Sequence, residues 1–363
     1  MYRFAWKFNL SLLLIVTLTA CTQPQAPVLA PSTNSSALPS VEGVIKGYGI
    51  SPLGFPADYS RYPDFLTEVG SLPNGGVMFN GAWRMEVAGG SVAGQVPQTA
   101  IGIVREAANY GYTPIIVFGW RSDDGSLHIS IPSNAADDWS NEDAKALFKQ
   151  MLVDFAAGYY PPFLFLGNES DAYYISNAED YARWVAFYNE AYDAIKAVSP
   201  ETMVGPIFQY ERLSGQGTFN QWTTPQWGAL EAHDLSKVDI VGFTLYPWLG
   251  VSTPEEVPDA YFAPLVQRIG DKPVAITETG WPGDGLGLLT AWEASPEAQI
   301  RYIDTLRRIL PELNVRILNW LHLNQMVQTP ENLTFWQAFS SISLRDFEGS
   351  KRPIYDAWVE FQP

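Results

Sequence analysis

Short apolar runs alternate with amphipathic stretches from Val44 to the end of the chain. A short apolar run bounded by Gly or Pro reads as a buried strand, and apolar residues three and four apart read as a helix packed by one face. The pattern predicts strands at Val44–Ser51, Gly76–Arg84, Pro114–Arg121, Pro162–Glu169, Thr202–Gln209, Val238–Trp248, Pro273–Glu278 and Val315–His322. Between them it predicts helices at Ala57–Val69, Thr99–Tyr110, Asn141–Ala157, Glu179–Val198 and Pro254–Ile269, with Pro225–Leu235 a further helical stretch. Ser295-Pro296-Glu297 opens another helix with a cap and a proline in its first turn, and Pro353–Phe361 closes the chain. In Asn141–Ala157 the residues Ala144, Leu147, Phe148, Met151, Leu152 and Phe155 share one face, and Ser140 with Asp143 offers a cap. Ile115-Ile116-Val117-Phe118 is apolar on both faces, as a parallel strand covered by helices requires. Pro206 makes the fifth strand the weakest of the set.

Eight strands alternating with helices predict an α/β fold, a single-domain (β/α)8 TIM barrel over residues 44–363. An open doubly wound sheet is the competing architecture, but no G-x-G-x-x-G follows any strand. The long connections are Ser122–Trp139, Tyr210–Thr224, Gly283–Ala294 and Asn324–Lys351, all after strand C-terminal ends. In a barrel that face carries the chemistry.

Ahead of the barrel, Arg3 and Lys7 precede the apolar Leu10–Leu18, and Leu18-Thr19-Ala20-Cys21 follows. This resembles a bacterial lipoprotein signal. Residues 1–20 are then expected to be a signal peptide and Cys21 the lipidated first residue. Residues 21–43, rich in Pro, Ser and Thr, are expected to form a flexible tether. The expected location is the bacterial cell envelope, lipid-anchored and extracytoplasmic, with the bilayer as a partner through Cys21.

Composition narrows the function. A net charge of −17 disfavours nucleic acid as a partner. A single cysteine excludes an intrachain disulfide, and three histidines leave little for a His-rich metal site. No metal or cofactor is expected, and a monomer is. Thirteen Trp, eighteen Tyr and nineteen Phe are enough to fill a core and still line a groove.

Two strands end in the same way. PFLFLGNES delivers Glu169 and KPVAITETGWP delivers Glu278, each directly after an apolar run. Either glutamate alone could be an ion-paired or loop residue. On the fourth and seventh strands of a barrel they can face each other across its mouth. Two facing carboxyls about 5–5.5 Å apart equip a retaining glycosidase.

Gly167-Asn168-Glu169 resembles the Asn-Glu signature of the clan A retaining glycoside hydrolases. Ile276–Pro282 is similar to the nucleophile strand of the family 53 endo-β-1,4-galactanases and the family 17 β-1,3-glucanases. The resemblance implies Glu169 as acid/base, Glu278 as nucleophile, and Asn168 as a ligand of the sugar 2-hydroxyl. It also implies Tyr246 as the residue holding the nucleophile, Trp320 as a platform under the sugar, and Arg84 near the nucleophile, with Arg121 a rival. Trp120 and Trp281, with Trp83 and Trp248, sit at strand ends and could be sugar platforms or core. The sixth-strand His-x-Tyr of several families appears here as Thr244-Leu245-Tyr246, and Trp120-Arg121 replaces a frequent third-strand His. Asp123-Asp124-Gly125 reads as a solvated turn, and His322 either lines the pocket or, as the preferred reading, is satisfied in the barrel.

The expected activity is endo-acting cleavage of a β-linked polysaccharide or oligosaccharide by a two-carboxylate double displacement. The alternative is a non-catalytic carbohydrate-binding surface lipoprotein. A metal-dependent hydrolase is disfavoured because no strand end presents a ligand cluster.

Overall fold

The computed structural model describes residues 43–82, 86–88, 91–93, 96–120, 138–284, 292–327 and 335–363. The first four strands are Ile45–Gly49, Gly75–Ala82, Thr113–Gly119 and Phe163–Leu166. The fifth runs in two pieces, Met203–Gly205 and Ile207–Gln209. The last three are Val241–Leu245, Pro273–Thr279 and Asn314–Asn324. Neighbours pair in parallel, and the first strand pairs with the eighth. This is the (β/α)8 barrel the alternation predicts.

The ring closes through the fifth strand. Met203–Gly205 pairs with the fourth strand and Ile207–Gln209 with the sixth. Pro206, which has no N–H to donate, stands where the strand changes partner. Its carbonyl still accepts from the Gly242 N–H at 2.8 Å, and the Val204 carbonyl accepts from the Asp239 N–H at 2.9 Å. The proline therefore interrupts the strand without opening the barrel.

Strand alternation sorts the core into two layers. Ile45, Met78, Ile115, Val117, Phe165, Ile207 and Ile317 fill the barrel interior. Tyr48, Phe118, Leu164, Phe243, Ile276 and Leu318 point the other way, into the larger apolar layer beneath the helices. Lys46, also on that outward side, donates to the carbonyls of Trp358, Val359 and Phe361, the last two at 3.0 and 2.9 Å. A cation on the last carbonyls of helix Ile354–Glu360 ties the end of the chain to its first strand.

Helix ends show where local pattern yields to context. Helix Glu142–Tyr159 is capped by Asn141, whose Oδ1 accepts from the Ala144 N–H at 3.1 Å, and not by Ser140. Ser140 bonds Asp138 instead. Ser295 caps Pro296–Ile309 as expected, accepting from the Ala298 N–H at 3.0 Å. Within Pro225–Leu235 the α-helix is limited to Gly228–Glu231, and a 3-10 turn, Leu235–Lys237, begins at its end. Pro254–Ile269 divides into a 3-10 turn, Pro254–Glu256, and helix Ala263–Ile269. An antiparallel pair, Glu86–Ala88 with Ser91–Ala93, follows the second strand. Among the described residues, no helix is long and apolar enough to cross a membrane.

Candidate active site

The fourth strand leaves the barrel through a sharp turn. Gly167 has φ +78° and donates its N–H to the Phe118 carbonyl of the third strand at 2.9 Å. A side chain there would meet the Trp120 indole nitrogen at 2.6 Å, so only glycine fits. Glu169 also has a left-handed backbone, φ +47°. For a non-glycine residue that conformation costs about 1–3 kcal/mol and persists only where its surroundings impose it. Here the next residue, Ser170, donates its N–H to the Ile207 carbonyl at 3.1 Å, anchoring the turn to the fifth strand.

Glu169 accepts two side-chain hydrogen bonds. Thr244 Oγ1, on the sixth strand, donates to Oε1 at 2.8 Å. Arg212 Nη2, after the fifth strand, donates to Oε2 at 3.2 Å. Thr244 holds the position where the resemblance has histidine, and its hydroxyl is spent on the Glu169 carboxylate. Burial raises the Glu169 pKa; Arg212 opposes this, Asp171 adds to it, and the Thr244 hydrogen bond opposes it.

The seventh strand presents Glu278 at a register irregularity. Ile276 and Thr279 pair with Leu318 and Trp320 of the eighth strand, leaving Thr277 and Glu278 together opposite Asn319. Asn319 Nδ2 donates to the Thr277 carbonyl at 2.8 Å across that gap. The Glu278 carboxyl receives Asn80 Nδ2 on Oε1 at 3.0 Å and Tyr246 Oη on Oε2 at 2.9 Å. Burial, followed by the charge of Glu169, pushes Glu278 up to about 8 against those two hydrogen bonds.

The two glutamates thus share one buried, electrostatically coupled site. Tyr246 feels both of them, and its pKa is raised by burial first and then by Glu278. Arg212 stands beside Glu169, and among the described residues no Lys or Arg forms an ion pair with Glu278. Burial raises the pKa of both carboxyls, and the pair titrates jointly.

Of the residues the sequence singled out, the structure brings Glu169, Glu278, Asn168 and Tyr246 to this site. Asn168 is buried, and its Oδ1 has no hydrogen-bond partner among the described residues. Arg84, Arg121, Trp83 and Asp123-Asp124-Gly125 lie outside the described residues.

Trp120 and Trp281, open between sugar platform and core, and Trp320, the implied platform, are all packed inside the fold. Trp120 packs with Trp139, Tyr173 and Trp184, ring centroids 5.2, 5.1 and 4.7 Å away. Trp320 pairs in register with the outward-facing Tyr48 and packs on Trp358 at 5.0 Å. Trp281 packs on Tyr302 at 5.6 Å and donates its indole N–H to the Glu293 carbonyl at 2.6 Å. All three are at most 1% exposed. They are held in the layer under the helices, because strand-end aromatics there point away from the barrel axis.

Asn80, Thr244, Arg212 and Asp171 were not singled out as binding residues. The available signal for Asn80 was a lone amide inside the apolar GVMFNGAW. His322 also differs from its expectation as a satisfied residue. It pairs with Gly49, one residue past the outward Tyr48, which puts it on the barrel side. It is 3% exposed, and neither ring nitrogen has a partner among the described residues. Burial lowers its pKa to about 3, so the ring is neutral, with one donor and one acceptor free.

The fold has solved relatives. An exo-β-1,4-mannosidase, Op5Man5 from Opitutaceae bacterium strain TAV5, matches with TM-score 0.59 at 18% identity, over 88% of this chain and 59% of its own. A β-glucuronidase 2 of Bacteroides uniformis matches with TM-score 0.53 at 14% identity, over 88% of this chain and 35% of its own. A β-galacturonidase of Eisenbergiella tayi bound to galacturonate matches with TM-score 0.53 at 13% identity, over 88% of this chain and 51% of its own. The chain spans less than two thirds of the length of each, and at these identities the likeness shows the fold. No family model and no curated protein matches the chain.

Proposed function

We propose that the protein is a retaining glycoside hydrolase of the clan A type, cleaving a β-linked polysaccharide or oligosaccharide through a glycosyl-enzyme. The observation that carries this reading is the coupled pair Glu169 and Glu278, on opposite sides of one barrel mouth and each held by its own hydrogen bonds. The glycosidase names of the structural neighbours support it.

In the reacting form one proton sits on Glu169 and Glu278 is ionised. Positive charge developing on the sugar ring beside Glu278 favours its carboxylate, which shifts the shared proton toward Glu169. Glu169 gives that proton to the leaving oxygen as Glu278 bonds the anomeric carbon. The Glu278 charge is then gone, and ionised Glu169 takes a proton from the water that frees the sugar. Asn168, next to Glu169 in the chain, is buried with its Oδ1 unpartnered among the described residues, and the role at the sugar 2-hydroxyl is the one its motif implies.

A carbohydrate-binding protein without catalysis would not require two opposed, hydrogen-bonded carboxyls, and this favours the enzyme. Endo action and affinity with the family 53 galactanases or family 17 glucanases are the finer readings, drawn from the sequence motifs. A reducing-sugar screen over β-1,3-glucan, β-1,4-galactan, mannan and xylan, with product sizing, tests both. Release of a mixture of oligomers from polysaccharide supports endo action, and release of monosaccharide alone opposes it. We also propose, from the signal-like start of the chain, that a lipid on Cys21 anchors the protein in the bacterial envelope. Cys21→Ser is expected to release or mislocalise it, and mass spectrometry finding an unmodified Cys21 in membranes opposes the anchor.

A further inference from the structure

The guanidinium of Arg212 makes more contacts than an ordinary ion pair. Nη2 reaches the Glu169 carboxyl at 3.2 Å and the Glu169 backbone carbonyl at 3.4 Å. The same nitrogen reaches Asp171 Oδ1 at 3.1 Å, while Nε reaches Asp171 Oδ2 at 2.5 Å. Asp171 is itself fixed, accepting the Gln209 N–H at 2.9 Å. The Trp222 ring lies over the guanidinium, 5.0 Å from it. Arg212 and Asp171 are both buried, with Asp171 fully so. One cation thus grips both ends of the strained Glu169, and a second carboxylate holds that cation in place.

We propose that Arg212, clamped by Asp171, is a positioning residue for Glu169 that fixes its carboxyl and favours its ionised form. This deepens the glycosidase reading and rests on it for its role in turnover. An ionised Glu169 is what the second step needs, when it acts as base for water. Arg212 opposes the first step, where Glu169 must carry a proton, so the clamp divides the work between the steps. Asp171 moderates it. Its negative charge takes up part of the guanidinium and repels the Glu169 carboxylate, which adds to burial in favouring the protonated form.

The charged and titratable groups acting on Glu169 from the surrounding elements are few. Arg212 follows the fifth strand, Asp171 opens the short helix Asp171–Ser176, and Glu278 and Tyr246 lie across the mouth. Glu211, next to Arg212, is buried against Tyr261 and acts on Tyr246.

The clamp predicts shifts of opposite sign for its two members, which a general loosening of the site does not. Arg212→Gln removes the cation, and the Glu169 pKa should rise by about one unit or more. Asp171→Asn removes the repelling charge and frees the guanidinium for Glu169, and the pKa should fall. Arg212→Lys keeps the charge and should stay closer to wild type than Arg212→Gln.

The direct readout is carbon-13 NMR titration of protein labelled at the glutamate side-chain carboxyls, with the Glu169 signal assigned by its loss in Glu169→Gln. It needs no substrate. With any aryl β-glycoside the wild type cleaves, the basic limb of kcat/KM should move in the same directions. If Arg212→Gln does not fold, Asp171→Asn and Arg212→Lys still decide the case. No shift in the folded variants, or shifts of one sign for Arg212→Gln and Asp171→Asn, overturns the clamp. Opposite shifts in a protein that cleaves no glycoside would uphold the clamp and overturn the glycosidase reading instead.

Discussion

Asn80 Nδ2 and Glu278 Oε1 are 3.0 Å apart, although their strands, the second and the seventh, are separated in the ring by the first and the eighth. The contact crosses the barrel mouth and holds one carboxylate oxygen, while Tyr246 holds the other. A carboxylate fixed at both oxygens presents a defined lone pair to an incoming carbon. A hydrogen bond to a charged group contributes about 1.5–3 kcal/mol, so Asn80→Ala should lower kcat/KM by about 10- to 100-fold. It should also move the acid limb of the profile upward, because it removes a donor that stabilises ionised Glu278. A steady-state pH profile checks both, and a change in KM alone would contradict the role.

The stability of the free protein should report the same carboxyl. Glu278 has an ordinary value of 4.5 and is pushed up to about 8 in the fold. As pH rises from 4.5 toward 8, the unfolded chain releases this proton while the folded chain keeps it, so stability falls through that window. Glu211, raised to about 7 mainly by burial, acts in the same direction. His233 and His322, lowered by burial to about 3, act oppositely and weaken the fold as pH drops below 6.5. Glu278→Gln removes one of these contributions. Its Tm should exceed that of the wild type at about pH 9 and converge with it at about pH 5. Thermal unfolding of both proteins across this range is the test, and a constant difference in Tm would contradict the assignment.

Much of this was legible in the sequence, and the remainder was not for identifiable reasons. Glu169, Glu278 and Tyr246 each stand at the C-terminal end of an apolar strand, so topology alone carried them to one face. Pro206 looked like a fault in the fifth strand because a local pattern cannot show that the strand changes partner there. Trp120, Trp281 and Trp320 sit as close to strand ends as the glutamates do. Whether such a residue faces the axis or the helices depends on single-residue irregularities, such as those between Ile276 and Thr279 and between Tyr48 and Gly49. Arg212 lies in a polar stretch after the fifth strand, and its contact with Glu169 is set by tertiary structure.

The turn before Glu169 gives a stability test. Gly167→Ala places a methyl group 2.6 Å from the Trp120 indole nitrogen at φ +78°. The strained backbone and the forced movement of a packed indole should together cost about 2 kcal/mol or more. Chemical denaturation measures it. A cost below about 0.5 kcal/mol would mean that the turn relaxes freely.

Azide should separate the two glutamates by stereochemistry. Glu169→Ala should lose natural glycans yet keep the first step on aryl glycosides, whose leaving group needs little protonation. Azide should then accelerate the second step and give the β-azide from a β-glycoside. In Glu278→Ala it should enter the vacated face and give the α-azide. Proton NMR of the products distinguishes them, and the same anomer from both variants would contradict the division of roles.

The central claim is that Glu278 forms a covalent bond to the sugar. The most direct test treats the wild type with 2-deoxy-2-fluoro-β-glycosyl fluorides of glucose, galactose and mannose, then applies intact mass and peptide mapping. The account predicts a mass gain of one fluorosugar with at least one of them, located on Glu278 and absent in Glu278→Gln. A sugar attached to any other residue, or an inverted product from a glycoside the enzyme cleaves, would contradict it.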